Sequence, residues 1–399
     1  MIHSSLEELI QKFCPNGVDY QSLGNLGQFY GGLTGKKKED FVDGNSKFIS
    51  YKNVYSNLAL NVHPDETVKI FPEEKQRTLE YGDVVFTGSS ETPDECGFSS
   101  VVCEHPKENL YLNSFCFFFR FDDPQIMLPA FAKHLFRSSA LRYQIGKTAS
   151  GVTRFNVSKE KMGKIRIPLP PLPVQQEIVR ILDSFTELTA ELTAELTARR
   201  KQYEYYRDEL LTTCANEVGE FIPLENCCKI LDNKRKPVTK VLREAGKYPY
   251  YGANGIQDYV SNYIFDGTFV LIGEDGSVIT AGGNPVVTWA EGKIWVNNHA
   301  HIIGEAEGFS IRFLYHYLQT INITKLIHGN IPKLKGADFR VIPIPSIPSS
   351  VQAEIVQILD RFDALCNDLT SGLPAEIAAR QKQYEYYRDK LLTFKELEA

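Results

Sequence analysis

The sequence carries two copies of one segment, and this duplication limits the possible folds more than any other feature. Residues 168–185 (PLPPLPVQQEIVRILDSF) match residues 345–362 (PSIPSSVQAEIVQILDRF). Residues 198–212 (ARRKQYEYYRDELLT) match residues 379–393 (ARQKQYEYYRDKLLT) in the same order. Two such matches predict that a whole module has been duplicated, and that each copy ends in the same helix.

Weaker correspondences continue outside these segments, as duplication of an entire module predicts. They pair FAKHLF near residue 131 with FLYHYL near 313, YLNSF (111–115) with WVNNH (295–299), and CPNGVDYQSL (14–23) with CANEVGEFIPL (214–224). Proline clusters at 168–173 and 343–348 mark junctions, because proline ends strands and disfavours helix at the residue before it. Each half is therefore predicted to contain a globular module, a proline-rich hinge and a long helix.

The globular modules are predicted to be mixed α/β, with many short strands. The strand candidates are β-branched and aromatic runs closed by Gly, Asn or Asp. They are KFISYKNV, DVVFTGSS and LYLNSFCFFFRF in the first module, and YPYYGANG, TFVLIGEDGS and KIWVNNHAHII in the second. We expect an α+β chain whose domains span residues 1–165 and 216–342, with hinge-and-helix segments at 166–215 and 343–399.

Apolar residues at helical spacing predict long helices from Val174 to about Thr213 and from Val351 to about Lys395. A one-sided stripe of about forty residues, or about 60 Å, extends past any small core and needs a partner helix. The other copy is the obvious partner, which gives an antiparallel two-helix coiled coil separating the two domains in a pseudo-twofold arrangement. Gly372 and Pro374 should kink or loosen the second helix.

Composition bears on location and partners. No run approaches the roughly 18 to 20 apolar residues of a membrane span, and acidic residues near the N-terminus do not fit a signal peptide, so we expect a cytoplasmic protein without membrane contact. Eight cysteines without a CxxC pair indicate reduced thiols rather than a disulfide framework or a zinc site. A net charge of −6 argues against a protein that coats nucleic acid non-specifically.

Basic residues are nevertheless concentrated in one segment of each half. From Arg142 to Arg166 seven basic residues face one acid, Glu160, and seven more lie between Lys229 and Lys247. A basic run is most often a solvated face. Its recurrence in both halves favours contact with phosphates.

No catalytic motif is found in the sequence. GGLTGKKK (31–38) lacks the spacing and the Ser or Thr of a P-loop, and Ser89 and Ser90 do not form a GxSxG elbow. Val286 follows Asn284-Pro285, where adenine methyltransferases have a second proline. His299 and His301 alternate along a predicted strand and so should point the same way, which could suit a metal. Without an HExxH motif or a carboxylate cluster such a pair is more often structural or hydrogen-bonding, and we assign it to polar contact with DNA rather than to a metal. We therefore expect no catalytic and no metal site.

Polar and aromatic loops with bases nearby are the remaining candidates, and DNA is the ligand they suit. Asn can bind adenine edges and Lys or Arg guanine edges, although the same Asn and Gly residues could simply form tight turns. The loops TASGVTRF (148–155) and HGNIPKLK (328–335) are better suited to phosphates. The candidate DNA-binding residues are Lys36, Lys37, Lys38, Tyr51, Lys52, Asn53, Ser89, Ser90, Thr148, Ser150, Arg154, Lys234, Arg235, Lys236, Tyr251, Asn254, His299, His301, Asn330, Lys333 and Lys335.

The paired segments PLPPLPVQQEIVRILD and PIPSIPSSVQAEIVQILD, each followed by QYEYYRD, resemble the specificity subunits of Type I restriction-modification enzymes. The resemblance covers nearly the whole chain. The chain most resembles the branch of this family whose first helix contains tandem TAEL units, which here are Thr189–Leu192 and Thr193–Leu196. The second helix departs from that pattern with CNDLTSGLPAEIA, so a spacer length cannot be taken from the number of TAEL units.

The resemblance implies a non-catalytic subunit in which each domain recognises one half of a bipartite target in double-stranded DNA and the helices set the spacer. It also implies two modification subunits, which bind S-adenosylmethionine and methylate adenine, and restriction subunits, which hydrolyse ATP with Mg²⁺ and cut DNA. This chain would bind no cofactor itself. The tyrosines of QYEYYRD could either dock these partners or pack within the coiled coil. The candidate interface residues are Gln175, Glu177, Tyr203, Tyr206, Arg207, Gln352, Glu354, Tyr384, Tyr387 and Arg388.

Overall fold

The computed structural model describes residues 2–276 and 278–398, which form two compact units. The first unit combines the chain up to Glu191 with the residues from Ile377 onward, and the second unit is Leu192–Glu376. The C-terminal segment therefore belongs to the unit that begins at the N-terminus. Within the described residues, no helix combines the length and the apolar character that a membrane crossing requires.

The helices are α1 (Ile2–Phe13), α2 (Leu23–Leu26), α3 (Tyr51–Ser56), α4 (Pro129–Leu135), α5 (Ser139–Gly146), α6 (Lys159–Gly163), α7 (Leu172–Val218), α8 (Ile311–Leu318), α9 (Gly336–Arg340), α10 (Ser349–Asn367) and α11 (Leu373–Leu391). Short 3-10 turns lie at Lys38–Phe41, Leu224–Asn226, Asp232–Lys234, Lys240–Leu242 and Thr324–Leu326.

The strands of the first unit are β1 (Asp19–Ser22), β2 (Gly27–Gly31), β3 (Ser46–Ile49), β4 (Thr67–Val68), β5 (Val84–Thr87), β6 (Ser89–Ser90), β7 (Ser99–Val101), β8 (Leu110–Leu112), β9 (Cys116–Phe121), β10 (Ala149–Ser150), β11 (Phe155–Val157) and β12 (Arg166–Leu169). They form sheets in the orders β2-β9-β5-β7, β4-β3-β8, β10-β11-β6 and β1-β12. β3 and β8 run parallel, whereas β5 and β9 run antiparallel.

The strands of the second unit are β13 (Phe221–Pro223), β14 (Lys229–Ile230), β15 (Ala245–Gly252), β16 (Gly255–Val260), β17 (Phe265–Gly273), β18 (Val287–Val296), β19 (Ala300–Gly304), β20 (Ile327–His328), β21 (Lys333–Leu334) and β22 (Pro343–Pro345). Six of them form one sheet in the order β14-β19-β17-β18-β15-β16, in which β15 and β18 are parallel. β13 pairs with β22 as β1 pairs with β12, so in both units the N-terminal strand pairs with the strand at the start of the hinge.

The predicted mixed α/β class with a long helix is confirmed. α7 is 47 residues long and continues to Val218, five residues past the predicted end. At 1.5 Å per residue it spans about 70 Å. Its first part belongs to the first unit and its remainder to the second.

The second predicted helix is two helices, α10 and α11. The break lies where Gly372 and Pro374 were expected to disturb it, and it is stabilised by the Asp368 carboxylate, which accepts from the backbone and hydroxyl of Thr370 at 2.7 and 2.6 Å. A Cβ on Gly372 would approach the carbonyl oxygen of Ala364 to 2.5 Å, so the tight turn requires glycine. Pro374 follows in the first turn of α11, where the missing N–H costs nothing.

Helix packing inside each unit is antiparallel where two contacts define it. In the second unit Arg200 of α7 donates to the carbonyl of Cys366, while Tyr206, further along α7, stacks on Phe362, which precedes Cys366 in α10. In the first unit Phe185 of α7 stacks on Tyr387 of α11. These helices join the domain cores, and all eight cysteines are free thiols, most of them buried.

Two local expectations were wrong. The run KFISYKNV is strand only through Ile49, and its YKNV part begins the short helix α3. His299 and His301 do not point the same way, because β19 begins at Ala300 and His299 precedes it in a turn. The side chain of His299 is 48% exposed and that of His301 is 1% exposed.

Candidate functional site

The first unit builds its candidate site on three backbone hydrogen bonds at one edge of its sheets. Asn113, after β8, donates its N–H to the carbonyl of Ile49 at 3.0 Å. Gly88, after β5, donates to the carbonyl of Phe115 at 2.7 Å and accepts from Val157 of β11 at 3.0 Å. These bonds bring the ends of β3, β5 and β8 to one hairpin, β10–β11.

The second unit repeats the same three bonds with different residues. The backbone N–H of Asn297 donates to the carbonyl of Tyr251 at 3.1 Å. The backbone N–H of Glu274 donates to the carbonyl of His299 at 2.8 Å, and the carbonyl of Glu274 accepts from the backbone N–H of Leu334 at 2.8 Å. The turn is also repeated, since the Asn113 and Asn297 side chains each accept from the backbone N–H two residues on at 2.8 Å.

This shared framework matches positions between the units more finely than the sequence does. Following the bonds, Lys52 corresponds to Asn254, Ser89 to Asp275, Phe115 to His299 and Asn156 to Lys333. The hairpin loops TASGVTRF and HGNIPKLK, which the sequence pairs, are β10–β11 and β20–β21. Each unit therefore presents its own side chains on the same backbone.

In the first unit the framework borders an open cleft of about 900 Å³. The cleft brings together five of the residues predicted from sequence, Tyr51, Lys52, Ser89, Ser90 and Arg154. It is also lined by residues that the sequence analysis missed, Tyr55, Glu91, Glu95, Phe115 and Thr153. Two exposed cations, two carboxylates and three aromatic rings thus line one concave surface.

The cleft side chains are fixed by one another. The Tyr51 hydroxyl donates to the carbonyl of Ser89 at 2.9 Å, and burial raises the pKa of Tyr51 above its ordinary value. Arg154 donates from Nε to Ser89 Oγ at 3.3 Å and lies over the Phe115 ring at 5.2 Å. Among the described residues only Nε of Arg154 has a hydrogen-bond partner, so both terminal nitrogens of its guanidinium can donate to a ligand.

Glu95 is the most strongly organised charge in the cleft. Its carboxylate accepts from Tyr55 Oη at 2.9 Å, Thr92 Oγ1 at 2.9 Å and Ser90 Oγ at 3.3 Å. The hydrogen bond from Tyr55, together with those from Thr92 and Ser90, lowers the pKa of Glu95. The group is therefore an ionised acceptor.

The backbone around Glu95 is held from behind by Arg142, which the sequence analysis had counted in an exposed basic run. The Arg142 guanidinium donates to the carbonyls of Asp94 and Cys96 at 2.8 Å and also to that of Gly97. Burial lowers the pKa of Arg142 from its ordinary value. Arg142 is thus a scaffold residue and is unavailable to phosphate.

The second unit presents different side chains at the matched positions. Asn254 is exposed at the turn between β15 and β16, where Gly255 has a φ of 85°. His299 pairs through Nδ1 with Asp275, and the Lys333 ammonium lies 3.3 Å from Glu274 and 3.8 Å from Asp275. At the matched positions an amide replaces the ammonium of Lys52, a carboxylate replaces the hydroxyl of Ser89, an imidazole replaces the Phe115 ring, and an ammonium replaces the amide of Asn156.

His301 is corrected from a DNA-contact candidate to a buried structural residue. Its Nδ1 lies 2.6 Å from Asp232, its Nε2 lies 3.0 Å from the carbonyl of Leu334, and its ring stacks on Phe339. Burial is the largest single influence on Asp232 and favours its neutral acid. The contacts with His301, the backbone N–H of Ile302 and the charge of Arg235 together exceed it and lower the pKa of Asp232.

Asp232, Glu274 and His301 also lie close enough together to suggest a metal site. Both ring nitrogens of His301 already face oxygen acceptors, and Arg235 donates to Glu274 at 2.6 Å. A cation would have to displace an arginine and break two hydrogen bonds. The donor set therefore fits an internal ion-pair network and not a metal.

Several other sequence candidates are used inside the fold and are corrected. Lys36 has a side chain 4% exposed, bound to Glu74 at 2.6 Å. Asn53 bonds to Asn57 and to the backbone of Asn61. Three further candidates are internal: Thr148 is buried against the carbonyl of Ile145, Arg235 is 12% exposed, and Tyr251 lies in a hydrophobic core.

The remaining DNA-contact candidates outside the two framework surfaces are exposed. Those in the first unit are Lys37, Lys38 and Ser150. Those in the second unit are Lys234, Lys236, Asn330 and Lys335.

Two of the interface candidates, Gln175 and Gln352, are fully buried. Gln175 accepts from Leu128 N at 2.8 Å and donates to the carbonyls of Ile126 and Pro170 at 3.0 and 2.8 Å. Gln352 makes the matching three bonds, to Ser310 N and to the carbonyls of Gly308 and Ile347. Both glutamines lock the hinge to the domain, so they are removed from the interface set.

A second duplicated network was not predicted. In the first unit His134 of α4 binds Tyr384 of α11 at 2.8 Å and Asp183 of α7 at 2.7 Å. In the second unit His316 of α8 binds Tyr203 of α7 at 3.0 Å and Asp360 of α10 at 2.8 Å. Burial lowers the pKa of both histidines, so each is a neutral ring that accepts from tyrosine and donates to aspartate. The aligned histidines in FAKHLF and FLYHYL carried the signal for this network.

The sequence left open whether the tyrosines of QYEYYRD dock partners or pack inside the protein, and these Tyr-His-Asp networks settle this for some of them. Tyr203 and Tyr384 pack inside their units, as does Tyr387 in part. Tyr206 is 41% exposed, and the most exposed tyrosines of the motif are Tyr205 and Tyr386, at 63% and 62%.

The other interface candidates differ in exposure. Arg207 and Arg388 are corrected to mostly buried residues, since their side chains are only 11% and 12% exposed beside Asp208 and Asp389. Glu177 pairs with Arg180 at 2.7 Å, and Glu354 is exposed.

Comparison with known proteins supplies the family. Residues 15–199 and 217–379 match the family model described as Type I restriction modification DNA specificity domain. The chain is 49% identical over 183 residues to a Haemophilus influenzae protein named as a type I restriction enzyme specificity subunit, covering 45% of this chain and 47% of that protein. It is 34% identical over 266 residues to the EcoR124I/EcoR124II specificity subunit of Escherichia coli, covering 60% of this chain and 65% of that protein. The matches thus span about half to two-thirds of these relatives.

A solved structure agrees at the level of the fold. The S subunit of a Type I restriction-modification system from M. genitalium superimposes with a TM-score of 0.53 at 16% identity, covering 94% of this chain and 96% of that one. The family model matches each half of the chain once, as the duplicated framework requires. The chain therefore belongs to the Type I restriction-modification DNA specificity family.

Proposed function

We propose that this chain is the DNA-recognition subunit of a Type I restriction-modification complex, and that each unit recognises one half of a bipartite target in double-stranded DNA. The observation that carries the proposal is the repeated framework, which places different polar side chains on equivalent backbone positions. A base edge is recognised by such side chains, whereas the shared backbone sets only their position. The recognition domains are proposed to span residues 1–165 and 216–342.

The test is methylome sequencing of a host that expresses the chain with its modification subunit. We expect one split motif carrying N6-methyladenine. Exchange of residues 216–340 for those of another family member should change one half-site and leave the other intact. A single continuous motif, or a change in both halves after the exchange, would contradict the proposal.

The chain is proposed to act without catalysis of its own, in the cytoplasm, with two modification subunits and with restriction subunits as partners. S-adenosylmethionine, ATP and Mg²⁺ would then be bound by those partners. The purified chain should transfer no methyl group from S-adenosylmethionine to DNA. A scaffold that binds only protein is the alternative, and it predicts equal affinity of the assembled complex for target and random duplex at fixed salt.

The exposed tyrosines of the duplicated motif are the proposed docking points for the modification subunits. Tyr205 and Tyr386 lie at equivalent positions and each packs edge-on against its neighbour, Tyr206 or Tyr387. Exposed tyrosines with a fixed orientation are favoured at interfaces, because they bury a large area at little entropic cost. Two equivalent surfaces support two bound subunits.

We also propose that the TAEL units of α7 set the spacer between the half-sites. Inserting one further four-residue unit after Leu196 would lengthen the helix by about 6 Å, comparable with one to two base-pair rises of about 3.4 Å. The methylome of that variant should show the same two half-sites with a longer spacer. An unchanged spacer would exclude the ruler.

A further inference from the structure

The cleft of the first unit contains one acceptor that neighbouring side chains hold in place, the carboxylate of Glu95. Three hydroxyl groups donate to it, and Arg142 clamps the carbonyls on either side of it along the chain. A group held this firmly keeps its direction when a ligand enters, which is the requirement for a specificity contact.

One acceptor site on this carboxylate remains unused by the described residues. A carboxylate accepts at about four lone-pair positions. Oε2 takes hydrogens from Ser90 and Thr92, and Oε1 takes one from Tyr55. The second position on Oε1 is thus available to a donor that enters the cleft.

Of the four base pairs, the major-groove edges differ in what they offer to a fixed acceptor. Guanine and thymine present oxygen or nitrogen acceptors, which a carboxylate repels. Adenine presents an amine beside an acceptor, which suits the amide of Asn or Gln. Cytosine presents its N4 amine without a neighbouring acceptor, and so matches a carboxylate best.

A second group that lines the same cleft, Arg154, suits the partner base. Arg154 keeps its terminal nitrogens for other acceptors, and the guanine of a C·G pair presents two acceptors to such a group. Its guanidinium lies over Phe115, which is 55% exposed and fixes the orientation of the planar group. Acceptor and donor on one cleft thus match the two edges of one C·G pair.

Resting on the proposed function, we propose that Glu95 is a specificity-determining residue that selects cytosine at one position of the half-site recognised by the first unit. Glu95 accepts a hydrogen bond from the cytosine N4 amine. The hydroxyls of Tyr55, Ser90 and Thr92 position the carboxylate.

The experiment compares the methylomes produced by wild type, Glu95→Gln and Glu104→Gln, each expressed with the modification subunit. Glu104 is an exposed glutamate of the same unit, paired with His63 and away from the cleft, and its variant should keep both half-sites. The wild-type motif should contain an invariant C·G pair in one half. In Glu95→Gln that position should shift toward adenine, with a change in discrimination of about 5- to 150-fold, and the other half should be unchanged.

The outcomes separate this proposal from the proposed function. If wild type yields no split motif, the proposed function fails before any variant is considered. If wild type yields a split motif and Glu95→Gln yields the same one, Glu95 does not select a base. If Glu95→Gln abolishes methylation, the assembled complex is tested on four duplexes that differ only at the invariant pair: restored binding on adenine supports the proposal, and equal loss on all four overturns it.

Discussion

The two units carry different side chains at the sheet edges that form their candidate sites, whereas their internal hydrogen-bond networks are the same. Behind the edges, each unit has the same buried glutamine, the same Tyr-His-Asp network and the same asparagine turn. At the edges, a concave cleft with Glu95 and Arg154 in the first unit contrasts with the Asp275-His299 pair in the second. The comparison teaches that the conserved internal geometry can stay constant while the ligand-facing side chains change.

A physical asymmetry explains why buried polar networks are the same in both units. A buried polar group that loses its partner costs roughly 1–3 kcal/mol, so a network of such groups tolerates little change. An exposed side chain on a rigid backbone can be replaced at little cost to stability. Two copies that recognise different sequences should therefore diverge at the edge first.

The largest expected effect comes from the buried glutamines. Gln175→Ala or Gln352→Ala would leave three backbone groups without their partner and should destabilise its own unit by about 3 kcal/mol. Denaturant unfolding gives the size, and hydrogen exchange at 126–128 and 308–310 shows which unit has loosened. The matched controls are the exposed neighbours Gln176→Ala and Gln357→Ala, which should change little. Loosening of both units by either variant would show that the two glutamines do not stabilise their units independently.

The next effect concerns the exposed tyrosines. Tyr205→Ala and Tyr386→Ala should each weaken the binding of one modification subunit by about 30-fold, the size of an interface hot spot of about 2 kcal/mol. The double variant should lose both subunits, as measured by mass of the purified complex. Tyr259→Ala is the control, because Tyr259 is 52% exposed but lies outside the duplicated motif. Unchanged stoichiometry in the double variant would exclude these tyrosines as docking points.

The sequence was sufficient for those parts of the fold that depend on repetition. It predicted the duplication, the hinges, the long first helix and the disturbance at Gly372, because each has a local signal. It overextended one strand into Tyr51, and it took KIWVNNHAHII as one strand where β18 ends at Val296 and β19 begins at Ala300, since strand ends depend on pairing with distant segments.

The site was predicted less completely. Tyr51, Lys52, Ser89, Ser90 and Arg154 were candidates and meet in one cleft, but Glu95 carried no motif and was missed. Lys36, Arg142 and His301 looked like ligand contacts because charge in a sequence does not reveal a buried partner. Each of them has one in the fold.

A smaller effect tests whether the two histidine networks are equivalent. Burial lowers the pKa of His134 and His316, so the unfolded chain binds protons at a higher pH than the folded chain. The unfolding free energy should therefore not depend on these histidines above about pH 6.5. Below that pH it should fall by at most about 1.4 kcal/mol per pH unit for each histidine. Unfolding free energies between pH 7.5 and 5.5 measure the slope.

Replacing one histidine should remove its share of that slope. His134→Gln and His316→Gln should reduce it by similar amounts, and the double variant by their sum, because the two networks share no residue. His105→Gln, at an exposed ring stacked on Tyr81, should leave the slope as in wild type. A slope that responds to only one of the two buried histidines would show that the networks are alike in geometry and different in energetics.

The smallest effect separates the two edges by their charge. Lys52 is exposed in the first cleft, whereas Lys333 of the second unit already lies near Glu274 and Asp275. Lys52→Ala should reduce the slope of log K against log salt by about 1 for the assembled complex on its target duplex, as loss of one phosphate contact requires. Lys333→Ala should reduce it by less, because its carboxylate partners already neutralise part of its charge. Exposed Lys75→Ala should not change the slope, and a larger effect of Lys333 than of Lys52 would show that DNA displaces those carboxylates from the lysine on binding.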